Sequence, residues 1–315
     1  VMRSGARWLT LVSLGWALAR WRRLRPRSLL DNAPLEKLLA KMVPLMRLPR
    51  LIQKGHLTAL AVTASSYSSG EHVTFYESAQ AVPPWVRSQR KAARDRITHE
   101  HLLASSAIPF VFPAKGITID GHTEYFGDGS MRQSAPIAAA IHLGAERILV
   151  IGAGRMHEPR GDSTAPPSPS YPSLAQIAGH ALSNIFLDAL SVDVERVQRI
   201  NQTLSLIPEE KRTHSALRPV ELLVIAPSQR LDAIAARHVG DLPGPVRTML
   251  GALGVTSNMA DVRGAALASY LLFEQGYTQE LMALGRADTL ARRADVCRFF
   301  GWKDTGAALR TRLPT

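Results

Sequence analysis

The first strong pattern along the chain is that of an amphipathic helix. Asp31 or Asn32 can cap its N-terminus, and Pro34 suits its first turn. Apolar residues then recur at helical spacing, at Leu35, Leu38, Leu39, Met42 and Val43. One apolar face is therefore expected to pack on a core while the opposite face meets solvent.

A pair of strands is predicted next. The apolar run Leu57 to Ala64 and the alternating HVTFY of His72 to Tyr76 are separated by a short segment rich in serine and ending in Gly70. Such a segment favours a tight turn. The charged residues Ser88 to Arg96 are interpreted as a solvated stretch, and Thr98 to Ala107 as a helix that stops before Pro109.

The middle of the chain predicts a strand, a helix and a second strand. After a loop, Glu124 to Phe126 is interpreted as a strand that runs into Gly127-Asp128-Gly129-Ser130. Pro136 to Leu143 is a helix begun by proline, and Arg147 to Ile151 is a buried strand. This order implies a right-handed parallel crossover and an α/β fold.

The second half is predicted to be mostly helical. Five prolines crowd the segment from Met156 to Ser173, which is therefore interpreted as a mobile surface loop. A long helix is predicted for Leu174 to Leu206 and a buried strand for Val220 to Ala226. From there to Arg312 the pattern is helical, with breaks at Pro243, Gly254 and Gly276.

Three regions follow from these patterns. Residues 1–30 form an apolar and basic N-terminal segment, 31–228 an α/β domain that contains the proline-rich loop at 155–172, and 229–315 a helical C-terminal region. A chain of 315 residues, 46% of them hydrophobic, can bury a core in each of the larger regions.

The charge of the chain indicates an anionic binding partner. The formal net charge is +12, and a block of arginines without any preceding acid can attract polyanions: Arg20, Arg22, Arg23, Arg25 and Arg27. The adjoining apolar run Trp8 to Ala19 favours an anionic membrane surface over nucleic acid. The apolar run could instead be the core of a signal peptide, or a buried helix followed by a basic connector. Of these three interpretations of the run, the buried helix is favoured.

Cysteine usage bears on the compartment. Cys297 is the single cysteine, so an intramolecular disulfide framework is excluded. The expected location is the cytoplasm, where the protein can also lie peripherally on a membrane.

The tetrad Gly127-Asp128-Gly129-Ser130 is the main candidate for chemistry. A carboxylate flanked by glycines after a strand can turn sharply and approach another backbone, because no Cβ stands in the way. Those are the demands on a catalytic base that lies beside a nucleophile. An ordinary Asp-Gly turn is the alternative interpretation.

Three segments together resemble the patatin-like phospholipase family. They are ASSAIPFVFP at 104–113, YFGDGS at 125–130 and PIAAAIHLGAERILVIG at 136–152, in the order and spacing of that family. The resemblance implies a mostly parallel central sheet flanked by helices. It also implies a Ser-Asp dyad in which Asp128 is the general base, with Gly127, Gly129 and Ser130 shaping its turn. The family has glycine or alanine where Ser130 stands.

The family's nucleophile is not found in the sequence. No Gly-x-Ser-x-Gly string occurs, and neither does a preceding glycine-rich oxyanion loop. We therefore expect the first strands of the fold to be missing from this chain, which alone would be inactive. A sheet without these strands would expose an edge through which the protein could self-associate.

The resemblance implies a lipid acyl hydrolase acting on phospholipids, lysophospholipids or related acyl esters, with no metal or cofactor in the acyl-transfer step. A non-catalytic lipid-surface or partner-binding protein on the same scaffold is the alternative. Two further motifs are discounted. His99-Glu100-His101 lacks an evident third metal ligand, and Gly152-Ala153-Gly154 lacks the third glycine of a dinucleotide site.

Overall fold

The computed structural model describes residues 28, 30–131, 133, 135–152, 154, 177, 189–212, 217–252 and 267–304. The chain divides into two compact units, Val1–Arg132 and Gln133–Thr315. Several predictions fall mainly on residues outside the described part: the arginine block and apolar run within 1–27, the proline-rich loop at 155–172, the helical start at 174–188, of which only residue 177 is described, the break at Gly254 and the helical end at 305–312.

The first unit consists of a six-stranded sheet flanked by helices. Its helices are α1 (Ala33–Met42), α2 (Leu48–Gln53) and α3 (His99–Ser105), with a 3-10 turn at Leu45–Arg47. Its strands are β1 (Ala59–Ser66), β2 (His72–Ser78), β3 (Val86–Arg87), β4 (Arg90–Arg94), β5 (Lys115–Ile119) and β6 (His122–Gly127). The α/β class predicted from the sequence is confirmed.

The strand order is β3-β4-β2-β1-β6-β5, and only the pair β2 and β4 is parallel. The prediction of a mostly parallel sheet is therefore wrong for this sheet. Its strands are joined mainly by short turns, and a short turn can only return a strand antiparallel to its neighbour. A parallel pair needs a long crossover, which residues 79–89 provide between β2 and β4.

The predicted hairpin of β1 and β2 is confirmed, with Ala59 opposite Ser78 and Ser65 opposite His72. Its turn ends at Gly70, whose φ of +71° a side chain would disfavour. Apolar residues from both strands enter one core with α2, α3 and β6: Leu48, Ile52, Val62, Ala64, Val73, Phe75, Ile97, Ala104, Ile117 and Phe126.

The stretch Ser88 to Arg96, predicted to be solvated, contains strand β4 instead. Its charges misled the pattern, because Ala92 is buried while Lys91 is held between Glu71 at 3.2 Å and Glu124 at 3.8 Å. A charged side chain can lie within a sheet when an oppositely charged neighbour pairs with it, because the pairing offsets its loss of water.

Strand β5 was also missed, since Lys115 to Ile119 was expected to belong to a loop. It pairs with β6 across a two-residue turn at Asp120 and Gly121, with φ of +51° and +82°. Both positive angles are those of the Asp-Gly hairpin turn, which matches the twist of the flanking strands.

Helix α1 begins as its sequence predicts. The Asp31 carboxylate accepts a hydrogen bond from the Ala33 N–H at 3.0 Å, and Pro34 lies in the first turn. The helix stops at Met42 because Pro44 disfavours helical geometry in Val43, which is extended. Helix α3 starts with a capping box in which Thr98 and His101 satisfy each other's backbone N–H groups.

The second unit contains a two-stranded parallel sheet and helices. The strands are β7 (Arg147–Ile151) and β8 (Glu221–Ile225). The helices are α4 (Ala138–His142), α5 (Ala189–Ser205), α6 (Glu209–Arg212), α7 (Leu231–His238), α8 (Gly244–Ala252), α9 (Gln275–Ala291) and α10 (Arg293–Phe300), with a 3-10 turn at Val239–Asp241. The predicted helical C-terminal part is confirmed.

The parallel crossover predicted between β6 and β7 is wrong, because these strands belong to different sheets. Strand β7 pairs instead with β8. Both are near-continuous apolar runs, from which buried strands were predicted. Only Ile148 and Leu223 in these strands are buried, and Ile151 is 79% exposed, so that prediction is wrong for most of their length. Helix α5 is fixed to the start of β8 by Asn201, whose amide exchanges hydrogen bonds of 2.7 and 2.9 Å with the Val220 backbone.

The predicted break at Pro243 lies directly before α8. Gly276 is the second residue of α9, so the predicted break at Gly276 coincides with the start of that helix. Gly254 lies outside the described residues. Within the described part of the chain, no helix combines the length and the apolar character that crossing a bilayer requires.

A charged cluster joins α7 to α9. The His238 ring bonds Asp241 through Nδ1 and Glu280 through Nε2, each at 2.8 Å, and Arg237 also pairs with Glu280. These hydrogen bonds raise the pKa of His238 and lower the pKa of Glu280. The cluster is therefore most stabilising while the ring is protonated and the carboxylates are ionised.

We expect the second unit to lose stability as pH rises through the raised pKa of His238. The contribution is fully present below the unfolded pKa of about 6.5. At the acidic end it is lost as pH falls through the lowered pKa of Glu280. Denaturant midpoints across pH for wild type and His238→Gln test this, because the variant should lose the decline that begins above the unfolded pKa of about 6.5. An equal decline in both proteins would contradict the assignment.

Candidate functional site

Asp128 lies directly after β6, where the chain leaves the sheet. Its side chain is buried, with 7% of the residue exposed. The turn is held by α3, because the Asp128 N–H donates to the Ala107 carbonyl at 3.0 Å and the Gly129 N–H donates to the Ser105 carbonyl at 3.1 Å. The carboxylate is thus positioned by backbone bonds to the C-terminal end of α3.

Gly129 brings this turn against the backbone of β1. A Cβ at position 129 would lie 2.0 Å from the Thr63 carbonyl oxygen and 2.7 Å from its carbon. Neither atom can move without displacing the strand. The close backbone approach predicted for this tetrad is therefore present, and position 129 accepts only glycine.

Ser130 holds the Asp128 carboxylate from within the turn. Its backbone N–H donates to Oδ1 at 2.8 Å, and its hydroxyl also hydrogen-bonds the carboxyl group. Burial raises the pKa of Asp128, and these bonds from Ser130 oppose the rise. The net effect is a carboxyl group with a raised pKa, which makes it a stronger base than an exposed aspartate.

His72 supports the same turn from β2. The buried ring donates from Nε2 to the Gly129 carbonyl at 2.6 Å. Burial lowers the pKa of His72, and the positive charge of Arg90 acts in the same direction. The neutral ring therefore fixes the backbone that follows Asp128.

Tyr67 covers the turn from the tip of the β1–β2 hairpin. Its hydroxyl lies 3.8 Å from the Met131 sulfur, and its ring occupies the space that a Cβ on Gly127 would need, with the hydroxyl 2.4 Å from that point. Burial and the charge of Asp128 raise the pKa of Tyr67. The residue is nevertheless 49% exposed, so solvent reaches the site along this ring.

A family comparison bears directly on this arrangement. Residues 5–141 match the model of the patatin-like phospholipase family. The matched region contains Asp128 and all the residues that contact its turn in the first unit. Searches of curated proteins and of solved structures found no match. The match confirms the resemblance to the patatin-like phospholipase family over this part of the chain.

The patatin-like segment places Gly127, Asp128, Gly129 and Ser130 in one turn, as the sequence predicts. Sequence reasoning missed Tyr67 and His72, which reach the turn from the neighbouring hairpin. Each carried a faint signal: Tyr67 is an aromatic residue within a turn of serines, and His72 opens an otherwise apolar strand. Neither signal identifies the contact, because the strand register brings these residues to Asp128.

The two histidines of the discounted metal motif His99-Glu100-His101 form hydrogen bonds within the fold. His99 bonds the Val43 carbonyl through Nε2, and the His101 ring caps its own helix at Thr98. Among the described residues, no group of three or more histidine, cysteine or acidic side chains could hold a metal ion. A cavity of about 460 Å³ opens elsewhere in the first unit, beside Pro49, Glu77 and Arg94, and Asp128 does not line it.

We expect Gly129→Ala to destabilise the first unit by at least about 3 kcal/mol, because its Cβ would overlap the Thr63 backbone. Gly121→Ala is the matched control. Its Cβ meets no atom within 4 Å, so only the φ of +82° penalises it, by about 1 kcal/mol. Denaturant unfolding measures both, and equal losses would refute the proposed overlap.

The first unit should lose stability as pH falls below the unfolded histidine pKa of about 6.5. The folded state lowers the pKa of His72, so the unfolded chain takes up a proton first and is favoured by acid. The pKa of His101 is lowered in the same direction and leaves a residual slope.

Urea midpoints at neutral and mildly acidic pH test this expectation. His72→Gln keeps a donor for the Gly129 carbonyl and should reduce the acid-induced loss. His56→Gln, at an exposed position, should leave that loss unchanged. If His72→Gln loses as much stability in acid as wild type, His72 is not its source.

Proposed function

We propose that this chain carries the general base of a Ser-Asp lipid acyl hydrolase, with Asp128 as that base. The observation that carries the proposal is a buried carboxylate of raised pKa, held on a glycine-flanked turn within a patatin-like segment. A base is most effective when its pKa approaches the working pH, and burial moves Asp128 in that direction.

In this mechanism Asp128 removes the proton from a serine hydroxyl as the serine oxygen bonds to the carbonyl carbon of an acyl ester. The proton then passes to the departing alcohol as the ester C–O bond breaks, which leaves an acyl-serine. Water attacks the acyl-serine with Asp128 again accepting a proton. The carboxylic acid leaves, and the proton returns to the serine.

The serine belongs to the Gly-x-Ser-x-Gly segment that the sequence lacks, so we expect residues 1–315 alone not to hydrolyse esters. The hydrogen bonds of Ser130 support the assignment of Asp128 as the group that would bond the reacting serine. The Ser130 N–H and hydroxyl both hydrogen-bond the Asp128 carboxylate. A reacting serine would bond the same carboxylate.

The substrate class is a phospholipid, lysophospholipid or related acyl ester, following the family match. The basic segment Arg20–Arg27 would add attraction for an anionic lipid interface. The absence of a Gly-x-Ser-x-Gly string favours one alternative: a protein that binds lipid on this scaffold without hydrolysing it.

The test begins with the coding sequence upstream of Val1, read in frame for a glycine-rich loop followed by Gly-x-Ser-x-Gly. The polypeptide that includes this segment is then assayed with a lysophospholipid and with a soluble aryl ester. Asp128→Asn should lower kcat by about 10² to 10⁴, because it removes the general base. Asp120→Asn, in the exposed β5–β6 turn, should retain activity.

Two outcomes would overturn the proposal. Hydrolysis that survives Asp128→Asn would assign the base elsewhere. An upstream sequence without the nucleophile, together with lipid binding and no hydrolysis, would establish the binding protein instead. A serine-reactive fluorophosphonate separates the steps, since it labels the serine only where the dyad is assembled.

A further inference from the structure

The surface formed by residues 37–54 exposes several large apolar side chains to solvent. Met42 is 68% exposed and Met46 is 83% exposed, and Leu38 and Leu51 are 51% and 42% exposed. The same segment is nevertheless anchored, because Leu48 and Ile52 are buried in the core of the first unit. The exposed side chains therefore belong to a segment whose C-terminal part is fixed to the core.

The charge of this surface is one-sided. It carries five basic residues and no acid, and none of the five has a hydrogen bond or ion pair to its side chain among the described residues: Lys37, Lys41, Arg47, Arg50 and Lys54. The adjacent acid, Glu36, is already paired with Lys115 at 3.1 Å. No described neighbour neutralises the basic side chains.

Helical spacing brings the two properties together. Lys37 and Lys41 are one turn apart, as are Leu38 and Met42, so both pairs run along one side of α1. The His99 ring bonds the Val43 carbonyl at 2.9 Å and fixes the end of that helix. Apolar side chains beside cationic ones on an anchored helix are typical of elements that lie in a membrane interface.

Charge also argues against two other occupants. The N-terminal segment of the same chain has no acid before Asp31 and carries the arginine block, so it would be repelled by this surface. A second copy of the chain, with a formal net charge of +12, would bring like charge to like. An anionic surface with an apolar layer beneath it satisfies both properties.

We propose that residues 37–54 dock the chain on an anionic phospholipid surface, with Leu38, Met42 and Met46 at the acyl boundary and the basic side chains among the headgroups. The proposed surface includes neither Asp128 nor the arginine block, and docking requires no hydrolysis. It deepens the proposed function by naming how the chain would meet a lipid interface.

Each basic residue near an anionic membrane strengthens binding by about fivefold at low salt. The full chain, wild type and variants, is sedimented with vesicles of phosphatidylcholine and phosphatidylglycerol, and with vesicles of phosphatidylcholine alone. Lys37→Gln combined with Lys41→Gln should weaken binding to the anionic vesicles by about 25-fold. Met42→Ser combined with Met46→Ser should weaken it at all salt concentrations, because apolar insertion is not screened.

The matched control is Lys211→Gln combined with Arg286→Gln, which removes two exposed basic residues from the second unit and gives the same net charge. It should bind as wild type does. Asp128→Asn should also bind normally, so failure of the proposed hydrolysis leaves this result intact.

Three results would overturn docking at this surface. Binding could fall equally in the control pair, be unchanged in the Lys37 and Lys41 pair, or not occur with anionic vesicles. Loss of self-association in the Met42 and Met46 pair, without vesicle binding, would assign the surface to a second copy.

Discussion

The backbone contact between Gly129 and Thr63 is the constraint on which the rest of the first unit depends. It brings the turn after β6 directly onto β1, closer than any side chain would permit. Backbone bonds from Asp128 and Gly129 to the end of α3 and the bond from His72 then lock the turn from two further elements. Helix, hairpin and turn are thereby joined at the buried carboxylate of Asp128.

This arrangement determines how readily Asp128 gains a proton. Burial favours the neutral acid, while the two bonds from Ser130 favour the carboxylate. The balance depends on groups that have no freedom to reorient, since the turn is fixed on three sides. A carboxylate held in this way is preorganised for proton transfer and needs only a partner that can displace the Ser130 hydroxyl.

The sequence predicted those features that depend on neighbouring residues. The hairpin, the capped start of α1 and the glycine-flanked turn all follow from local spacing. Strand direction depends on how the chain returns. The predicted parallel sheet was therefore wrong, although the class was right.

The missed elements have similar causes. Strand β4 was hidden by charges that become partnered only across the sheet, at Lys91 with Glu71 and Glu124. Tyr67 and His72 reach Asp128 through the register of β1 with its two neighbours, which no periodicity in a single segment reveals. A candidate site assembled from three strands and a helix is therefore only partly legible from one motif.

The two glycines beside Asp128 differ in how they constrain the evolution of the chain. Position 129 faces backbone, so no substitution elsewhere could compensate for a larger residue there. Position 127 faces the ring of Tyr67, a half-exposed side chain at a hairpin tip. A smaller residue at 67 would open position 127 to alanine or serine, whereas the reverse order of changes passes through a clash. Gly127 can therefore be replaced in evolution only after a change at position 67, whereas Gly129 cannot be replaced by way of any change elsewhere.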